Sequence, residues 1–262
     1  MTMDMDAEFY SRVADRFGGY FSDARSTDVF ADGRPEDVFD EWVLALGGPQ
    51  ARLLDVGCAD GRSLLRTSGA YGFVKGVDLS SSMLESAERH RAEADASHVT
   101  FELCDAAETG LPDGGLDVLT SRRGPLVLGE FGRVLRPGGT LLYMGIGEQD
   151  ARELKEQFGR GQNFGSWHGE PLSGKVAREM TESGFTVTRI REFRFDEFYH
   201  RAGDLDTFLH SVPILDDYDS AADRAAFDRY AASATAEAGI RLARHRFIVQ
   251  ARTPEAVETA HS

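Results

Sequence analysis

Cysteine is almost absent from this sequence: Cys58 and Cys104 are the only two among 262 residues. So few cysteines exclude a fold built on disulfides. Neither one stands in a Cys-x-x-Cys or paired-histidine pattern that would predict a zinc site. Both lie in apolar, strand-like stretches, where a free cysteine behaves as a small hydrophobic side chain. We therefore expect two structural thiols and no metal centre.

Long apolar runs and positive charge are also scarce. No run approaches the roughly 18–20 residues needed to span a bilayer, and the acidic start MTMDMDAEFYSRVADRF contains no apolar signal segment. Only 29 Lys and Arg stand against 44 Asp and Glu, for a net charge of −15. Nucleic acids are bound through Lys and Arg that neutralise phosphates. The sequence thus predicts a cytoplasmic protein without a membrane or nucleic-acid partner.

The composition can form a core, and the pattern changes along the chain. Hydrophobic residues make up 41%, including 17 Phe, which supports a large globular domain. Residues 1–50 have helical spacing, with one helix expected to begin at Pro35. Residues 51–150 alternate strands with helices, as in a parallel sheet covered on both faces. Residues 151–252 hold a Gly-rich loop, helices and two more strands, and residues 253–262 are expected to be frayed.

A glycine-rich turn and three acids mark the expected ligand site. In LLDVGCADGRSL a strand is followed by Gly57, Ala59 and Gly61 at alternate positions and then by a helix. Such a turn lets a ligand approach the backbone, and the helix N-terminus offers N–H groups to an anion. Acids end three successive strands, and the second comes about 20 residues after the turn, where it can hold a ribose diol. These acids are Asp55, Asp78 and Asp105.

Four segments resemble, in order, the successive motifs of the class I S-adenosylmethionine-dependent methyltransferases: LLDVGCADG, GVDLSSSML, LCDAAETGLPDGGLDVLTS and FGRVLRPGGTLL. The resemblance covers roughly residues 38–148. It implies an α/β, Rossmann-like, doubly wound sheet of seven mostly parallel strands with an antiparallel last strand. It also implies a helical N-terminal lid and a helical insertion before the last strand. NAD is disfavoured, because its fingerprint is Gly-x-Gly-x-x-Gly.

The resemblance implies roles for these residues toward S-adenosylmethionine. Asp55 and Gly57 would bind the methionine end, and Asp78 would accept both ribose hydroxyls. Leu79 and Met83 would pack against the adenine, whose edge would face the end of the third strand. The residues implied to contact the cofactor are Asp55, Gly57, Ala59, Gly61, Asp78, Leu79, Met83, Asp105, Ala106 and Ser121.

Two adjacent arginines follow the fourth strand, in a segment that is shorter than in the family, RRGPLVLGE. The ends of parallel strands border the ligand crevice of such sheets. Arg122 and Arg123 could therefore bind a carboxylate or phosphate of the methyl acceptor. They could equally form structural ion pairs with Asp55, Asp105 or Glu148.

Candidates for a general base lie farther along the chain. Methyl transfer is an in-line displacement that positioning alone accelerates greatly, and it needs a base only for a hydroxyl or a protonated amine. His168, in GSWHGE beyond the fifth strand, is the first candidate, followed by His200 and Tyr199 in DEFYH. Each could also be an ordinary surface or packing residue. Tyr10 and Tyr20 of the N-terminal lid would face the acceptor or pack on the sheet edge.

The sequence favours methyl transfer to an oxygen or nitrogen atom of a small metabolite, as in natural-product biosynthesis. The acceptor would be anionic or polyoxygenated if the arginines bind it. Two alternatives stay open. One is an RNA- or protein-modifying methyltransferase, which would need a basic or docking surface. The other is a non-catalytic cofactor-binding subunit, against which the three acids argue. The sequence predicts no oligomeric state.

Overall fold

A single mixed sheet organises the chain in the computed structural model, which describes residues 23–215 and 217–256. The strands are β1 (Ser26–Phe30), β2 (Gly48–Val56), β3 (Tyr71–Asp78), β4 (Val99–Leu103), β5 (Leu116–Arg122), β6 (Leu135–Ile146), β7 (Thr186–Tyr199), β8 (Thr235–Ala236) and β9 (Gly239–Arg252). The helices are α1 (Pro35–Ala45), α2 (Arg62–Ser68), α3 (Ser81–Glu93), α4 (Leu128–Val134), α5 (Arg152–Phe158), α6 (Leu172–Glu182), α7 (Ala202–Ser211) and α8 (Arg224–Ala234), with a 3₁₀ turn at Ser166–His168.

The strand order confirms the predicted doubly wound sheet. It runs β1-β7-β9-β6-β5-β2-β3-β4, and the short β8 pairs with β9. Strands β2 to β6 are parallel to one another, whereas β9 is antiparallel to both β6 and β7. The chain order reverses between β2 and β5. The crevice beyond the carboxyl ends of strands at such a reversal is where open α/β sheets bind ligands.

The prediction that residues 1–50 are helical is wrong for one segment. Residues 26–30 form strand β1 instead of a helix, and they pair antiparallel with β7 from Ser26 opposite Tyr199 to Phe30 opposite Phe195. The segment STDVF includes β-branched residues, which favour an extended backbone. The helix expected at Pro35 is confirmed. The rest of the predicted lid, with Tyr10 and Tyr20, lies outside the described residues.

Apolar side chains cover both faces of the sheet, as a parallel sheet requires. Helix α1 packs on one face and helices α4 and α6 pack on the other. The predicted helical insertion before the last strand is confirmed as α7 and α8, which form a third cluster on β9. The largest members of that cluster are Tyr199, Tyr218, Phe227 and Tyr230.

The end of the chain is better anchored than expected. Thr253 N donates to the Gly139 carbonyl at 3.0 Å, and the Pro254 carbonyl accepts from Gly138 N at 3.0 Å. The predicted fraying therefore does not begin at residue 253, since β9 continues into these contacts. Within the described ranges, none of the helices is both long and apolar enough to cross a membrane.

Candidate active site

The glycine-rich turn after β2 is held against the end of β3. Gly57 and Gly61 have φ of +69° and +73°, in the left-handed region that glycine adopts most easily. The Gly57 amide donates to the Val77 carbonyl at 2.9 Å, and the Ala59 amide donates to Asp78 Oδ2 at 2.9 Å. The turn therefore places its backbone beside the Asp78 carboxylate, as the motif predicts.

Asp78 stands at the last position of β3 with its carboxylate orientation fixed. Its Oδ1 accepts from Ser80 N at 2.9 Å, while Oδ2 accepts from Ala59 N. Burial raises the pKa of Asp78, and these backbone hydrogen bonds oppose that rise. A carboxylate oriented by the backbone at the carboxyl end of β3 is suited to accept hydrogen bonds from the hydroxyl groups of a ribose.

We expect Gly61→Ala to destabilise the protein by about 2 kcal/mol and to weaken cofactor binding. A methyl group there would lie 2.5 Å from Phe101 Cζ, and the left-handed φ adds strain to any L-residue. Gly129→Ala is the matched control, because Gly129 lies in α4 with open space around it. Urea unfolding measures both variants. Equal stability of the two would contradict the argument.

Asp55 is a buried carboxylate with few partners. It is 6% exposed, and its Oδ1 accepts from Thr120 Oγ1 at 2.6 Å. Burial raises the pKa of Asp55 to about 6, although the Thr120 hydrogen bond and the Arg122 charge act in the opposite direction. A buried carboxylate with this little compensation favours a cation beside it. The ammonium group of an amino acid has the required charge.

Of the four residues expected around the adenine, two are exposed and two are buried. Leu79 is 53% exposed directly after Asp78, and Asp105 is exposed with Oδ1 accepting from Ala107 N at 2.8 Å. Met83 and Ala106 are buried in the protein interior. Of these four residues, Leu79 and Asp105 therefore have side chains exposed to a bound ring, whereas Met83 and Ala106 do not.

Both arginines after β5 form ion pairs with α1. The Arg122 guanidinium lies 4.5 Å from the Phe39 ring centre, and its Nη2 donates to Asp40 Oδ1 at 2.5 Å. Arg123 has a left-handed φ of +58° and donates from Nη1 to Glu36 Oε1 at 3.0 Å. Structural pairing is thus present, though with acids other than the three considered from the sequence.

Ser121 stabilises the segment after β5 through a buried side-chain hydrogen bond. Its buried Oγ donates to the Pro125 carbonyl at 2.7 Å. Gly124 and Pro125 then lie close against Gly57, where a Cβ would meet Pro125 at 3.2 Å. The hydroxyl of Ser121 therefore shapes the segment that borders the glycine-rich turn.

A cavity of about 590 Å³ opens on one face of the sheet. It is lined by residues of β1, β7 and the first half of β9. Residues at the start of α1 and in the segment after α7 complete the lining. Because β9 is antiparallel, its first residues lie at the same edge as the carboxyl ends of β5 and β6. Five arginines line the cavity: Arg25, Arg34, Arg123, Arg244 and Arg246.

Two of the three predicted catalytic residues line this cavity. Tyr199 is buried, and burial together with the nearby Glu197 carboxylate raises its pKa far above the usual range. Its hydroxyl therefore stays protonated and cannot act as a base, although it can donate a hydrogen bond. His200 lies beside it, with Nε2 2.9 Å from Thr27 Oγ1. His168 is exposed against Trp167 in the 3₁₀ turn and is not among the described residues that line the cavity.

Residues 53–139 match the protein family described as "Methyltransferase domain". This match includes the glycine-rich turn, Asp78 and the end of β5, whose geometry agrees with the predicted cofactor site. This match supports the predicted resemblance to the class I S-adenosylmethionine-dependent methyltransferases.

Two curated methyltransferases and one solved structure are similar to this chain. "Methyltransferase GfsG" of Streptomyces halstedii is 33% identical over 142 residues, 49% of each chain. "27-O-demethylrifamycin SV methyltransferase" of Amycolatopsis mediterranei is 33% identical over 132 residues, 47% of this chain and 48% of that one. This chain thus spans about half the length of these curated relatives. A putative methyltransferase structure from Bacillus halodurans C-125 shares the fold at a TM-score of 0.57 and 15% identity, covering 85% of this chain and all of that one.

The residues at the ends of β2 and β3 fit S-adenosylmethionine. Asp55 is a buried anion suited to the ammonium group, and Asp78 is an oriented carboxylate suited to the ribose. Gly57 and Gly61 place no side chain at two positions of the turn, where the backbone has a left-handed φ. These residues would hold the cofactor at the carboxyl ends of β2 and β3.

A buried charge cluster centred on Asp150 was not predicted from the sequence. Asp150 Oδ1 accepts from Arg244 Nε at 3.0 Å, Arg246 Nη1 at 2.5 Å and His245 N at 3.0 Å. The alternation in RLARHR was a usable signal, because it places Arg244 and Arg246 on one strand face. The alternation alone did not indicate that this strand face lines the cavity.

Proposed function

We propose that the protein transfers a methyl group from S-adenosylmethionine to an oxygen or nitrogen atom of a small metabolite. The observation that carries this proposal is the cavity at the same sheet edge as the cofactor turn. Its volume of about 590 Å³ falls within the roughly 300–1,000 Å³ typical of small-molecule sites. Arg123 joins the two regions, since it follows β5 and also lines the cavity.

The residues of this chain would contribute to methyl transfer mainly by positioning the acceptor relative to the methyl group. Bound S-adenosylmethionine supplies a methyl group on a sulfonium, which is already an activated leaving group. The cavity holds the acceptor so that its nucleophilic atom lies in line with that bond. His200 is the group there that can take a proton from a hydroxyl acceptor, and Tyr199 can donate a hydrogen bond to it.

The charge of the cavity supports an anionic acceptor. Its lining brings five arginines together in a chain whose net charge is −15. A local concentration of guanidinium groups attracts and orients carboxylates or phosphates. A role in natural-product biosynthesis is supported by the relative whose name specifies a rifamycin acceptor.

We expect methyl-labelled S-adenosylmethionine to label small molecules of a cell extract and not its RNA or protein. The three fractions are separated after incubation with the protein, and the label in each is counted. Asp78→Asn should lower labelling at least tenfold, because the ribose would lose its oriented carboxylate. Asp113→Asn is the matched control, since the Asp113 side chain is 81% exposed.

Each of the other possible results of this labelling experiment would contradict a part of the proposal. Label in RNA or protein would contradict a small acceptor and support a macromolecular substrate. Absence of label from every fraction, with S-adenosylhomocysteine bound by the protein, would support a non-catalytic cofactor-binding role. Equal loss in Asp78→Asn and Asp113→Asn would contradict the role of Asp78.

A further inference from the structure

The cavity has an apolar wall as well as a charged one. Side chains of Phe195 from β7, Phe208 from α7 and Ile214 from the following segment contribute apolar surface. Arg244 and Arg246 of β9 contribute the charged surface, and the register places Arg246 opposite Ile146 at the end of β6. The cavity therefore suits a molecule with an apolar body and a polar group at one end.

Arg246 lacks a partner for part of its guanidinium. It is 4% exposed, and its Nη1 donates to Asp150 Oδ1 and to the His245 carbonyl at 2.8 Å. Its buried Nε has no hydrogen-bond partner among the residues that the structure describes. A buried N–H without an acceptor carries a desolvation penalty of about 1–3 kcal/mol. Because Arg246 also lines the cavity, a ligand acceptor that reached this N–H would remove that penalty.

The surrounding charges leave room for one more anion. Asp150 Oδ1 serves both Arg244 and Arg246, and the buried Asp150 Oδ2 accepts no hydrogen bond from the described residues. Glu36 pairs with Arg123 and Glu197 pairs with Arg244. Burial and the positive charges of Arg244 and Arg123 lower the pKa of Arg246, which is the direction expected for a cation with too little compensation.

The excess charge also indicates the charge of the ligand. Among the described residues, five arginines and four carboxylates line the cavity, and the carboxylates are Asp28, Glu36, Asp150 and Glu197. One added negative charge would balance the lining. A monoanion therefore matches this cavity better than a dianion.

We propose that the methyl acceptor is an acid with an apolar body, whose carboxylate binds Arg246 and Arg123 while the body packs against Phe195, Phe208 and Ile214. This inference rests on the proposed function, because it assigns the cavity to the acceptor. It makes Arg246 a binding residue for the acceptor and leaves Arg122 as a structural residue paired with Asp40.

The test compares three ligands that differ only in their head group: octanoate, octan-1-ol and octylammonium. Isothermal titration calorimetry measures their binding to the full chain saturated with S-adenosylhomocysteine. We expect octanoate to bind at least tenfold more tightly than either of the others. Arg246→Met should remove this preference, because methionine keeps the apolar length and lacks the charge. Arg224→Met is the matched control, since the Arg224 side chain is 73% exposed and outside the cavity lining.

A second variant keeps the test decisive if Arg246→Met does not fold. Arg123 has a side chain that is 29% exposed, and Arg123→Met should lower the octanoate preference at least threefold. Equal binding of octanoate and octan-1-ol to the unmodified protein, or an unchanged preference in both variants, would overturn the inference. A protein that prefers octanoate but transfers no methyl group would instead contradict the proposed function.

Discussion

Asp55→Asn is expected to stabilise the cofactor-free protein at pH 8 and to weaken its binding of S-adenosylhomocysteine about 100-fold. Asparagine can still accept the hydrogen bond from Thr120 Oγ1, but it carries no buried charge. The stabilisation arises because burial raises the pKa of Asp55 from 3.8 to about 6. A rise of about two units corresponds to about 3 kcal/mol against the ionised form.

The pH dependence of Asp55 has a definite sign. Because the folded state binds the proton more tightly than the unfolded state, protonated Asp55 favours folding fully below pH 4. That contribution is lost as the pH rises from about 4, near the ordinary value, to about 6, the folded value. The gain from Asp55→Asn should therefore be about 3 kcal/mol at pH 8 and close to zero at pH 4.

Urea unfolding at the two pH values measures the stability of Asp55→Asn, and calorimetry measures its cofactor affinity. Asp113→Asn serves as the control, since its exposed carboxylate should change stability by less than about 0.5 kcal/mol at either pH. A gain that is the same at pH 4 and pH 8 would show that burial of charge is not its cause. Unchanged affinity for S-adenosylhomocysteine would show that Asp55 does not meet the ammonium group.

The cofactor side of the site could be predicted because its signals are local. An acid at a strand end, glycines in the following turn and a second acid at the next strand end all follow from the chain's own alternation. The structure then gives Gly57 and Gly61 their left-handed φ and brings Ala59 N onto Asp78. Backbone geometry that depends on a few neighbouring residues can be read from a sequence.

The acceptor side depends on contacts between distant segments, which a single sequence does not display. Strand β1 pairs with β7 about 170 positions away, so its pairing was invisible in a segment read as helical. Likewise, Asp150 meets Arg244 and Arg246 only because β9 runs antiparallel beside β6. His168 stays a prediction, since it lies in a 3₁₀ turn beyond β6 and is not among the described residues that line the cavity.

Asp150→Ala is expected to lower the free energy of unfolding by about 3–5 kcal/mol, because it leaves two buried guanidinium groups without their shared carboxylate. Asp150 is fully buried, and Arg244 and Arg246 are nearly so. Opposing its burial, the charges of Arg244, Arg246 and Lys155 hold the pKa of Asp150 well below its usual value. Its stabilising contribution is therefore present above about pH 4 and decreases as the pH falls below that value.

A double variant separates the lost ion pair from lost packing. If the loss comes from unpaired charge, Asp150→Ala combined with Arg246→Met should cost less than the sum of the two single changes, because the second removes one stranded cation. Urea unfolding at pH 7 gives all three values, and Asp113→Ala should stay within about 0.5 kcal/mol of the unmodified protein. Additive losses would mean that Asp150 acts through packing alone, and the carboxylate would then have no part in keeping Arg246 charged at the cavity wall.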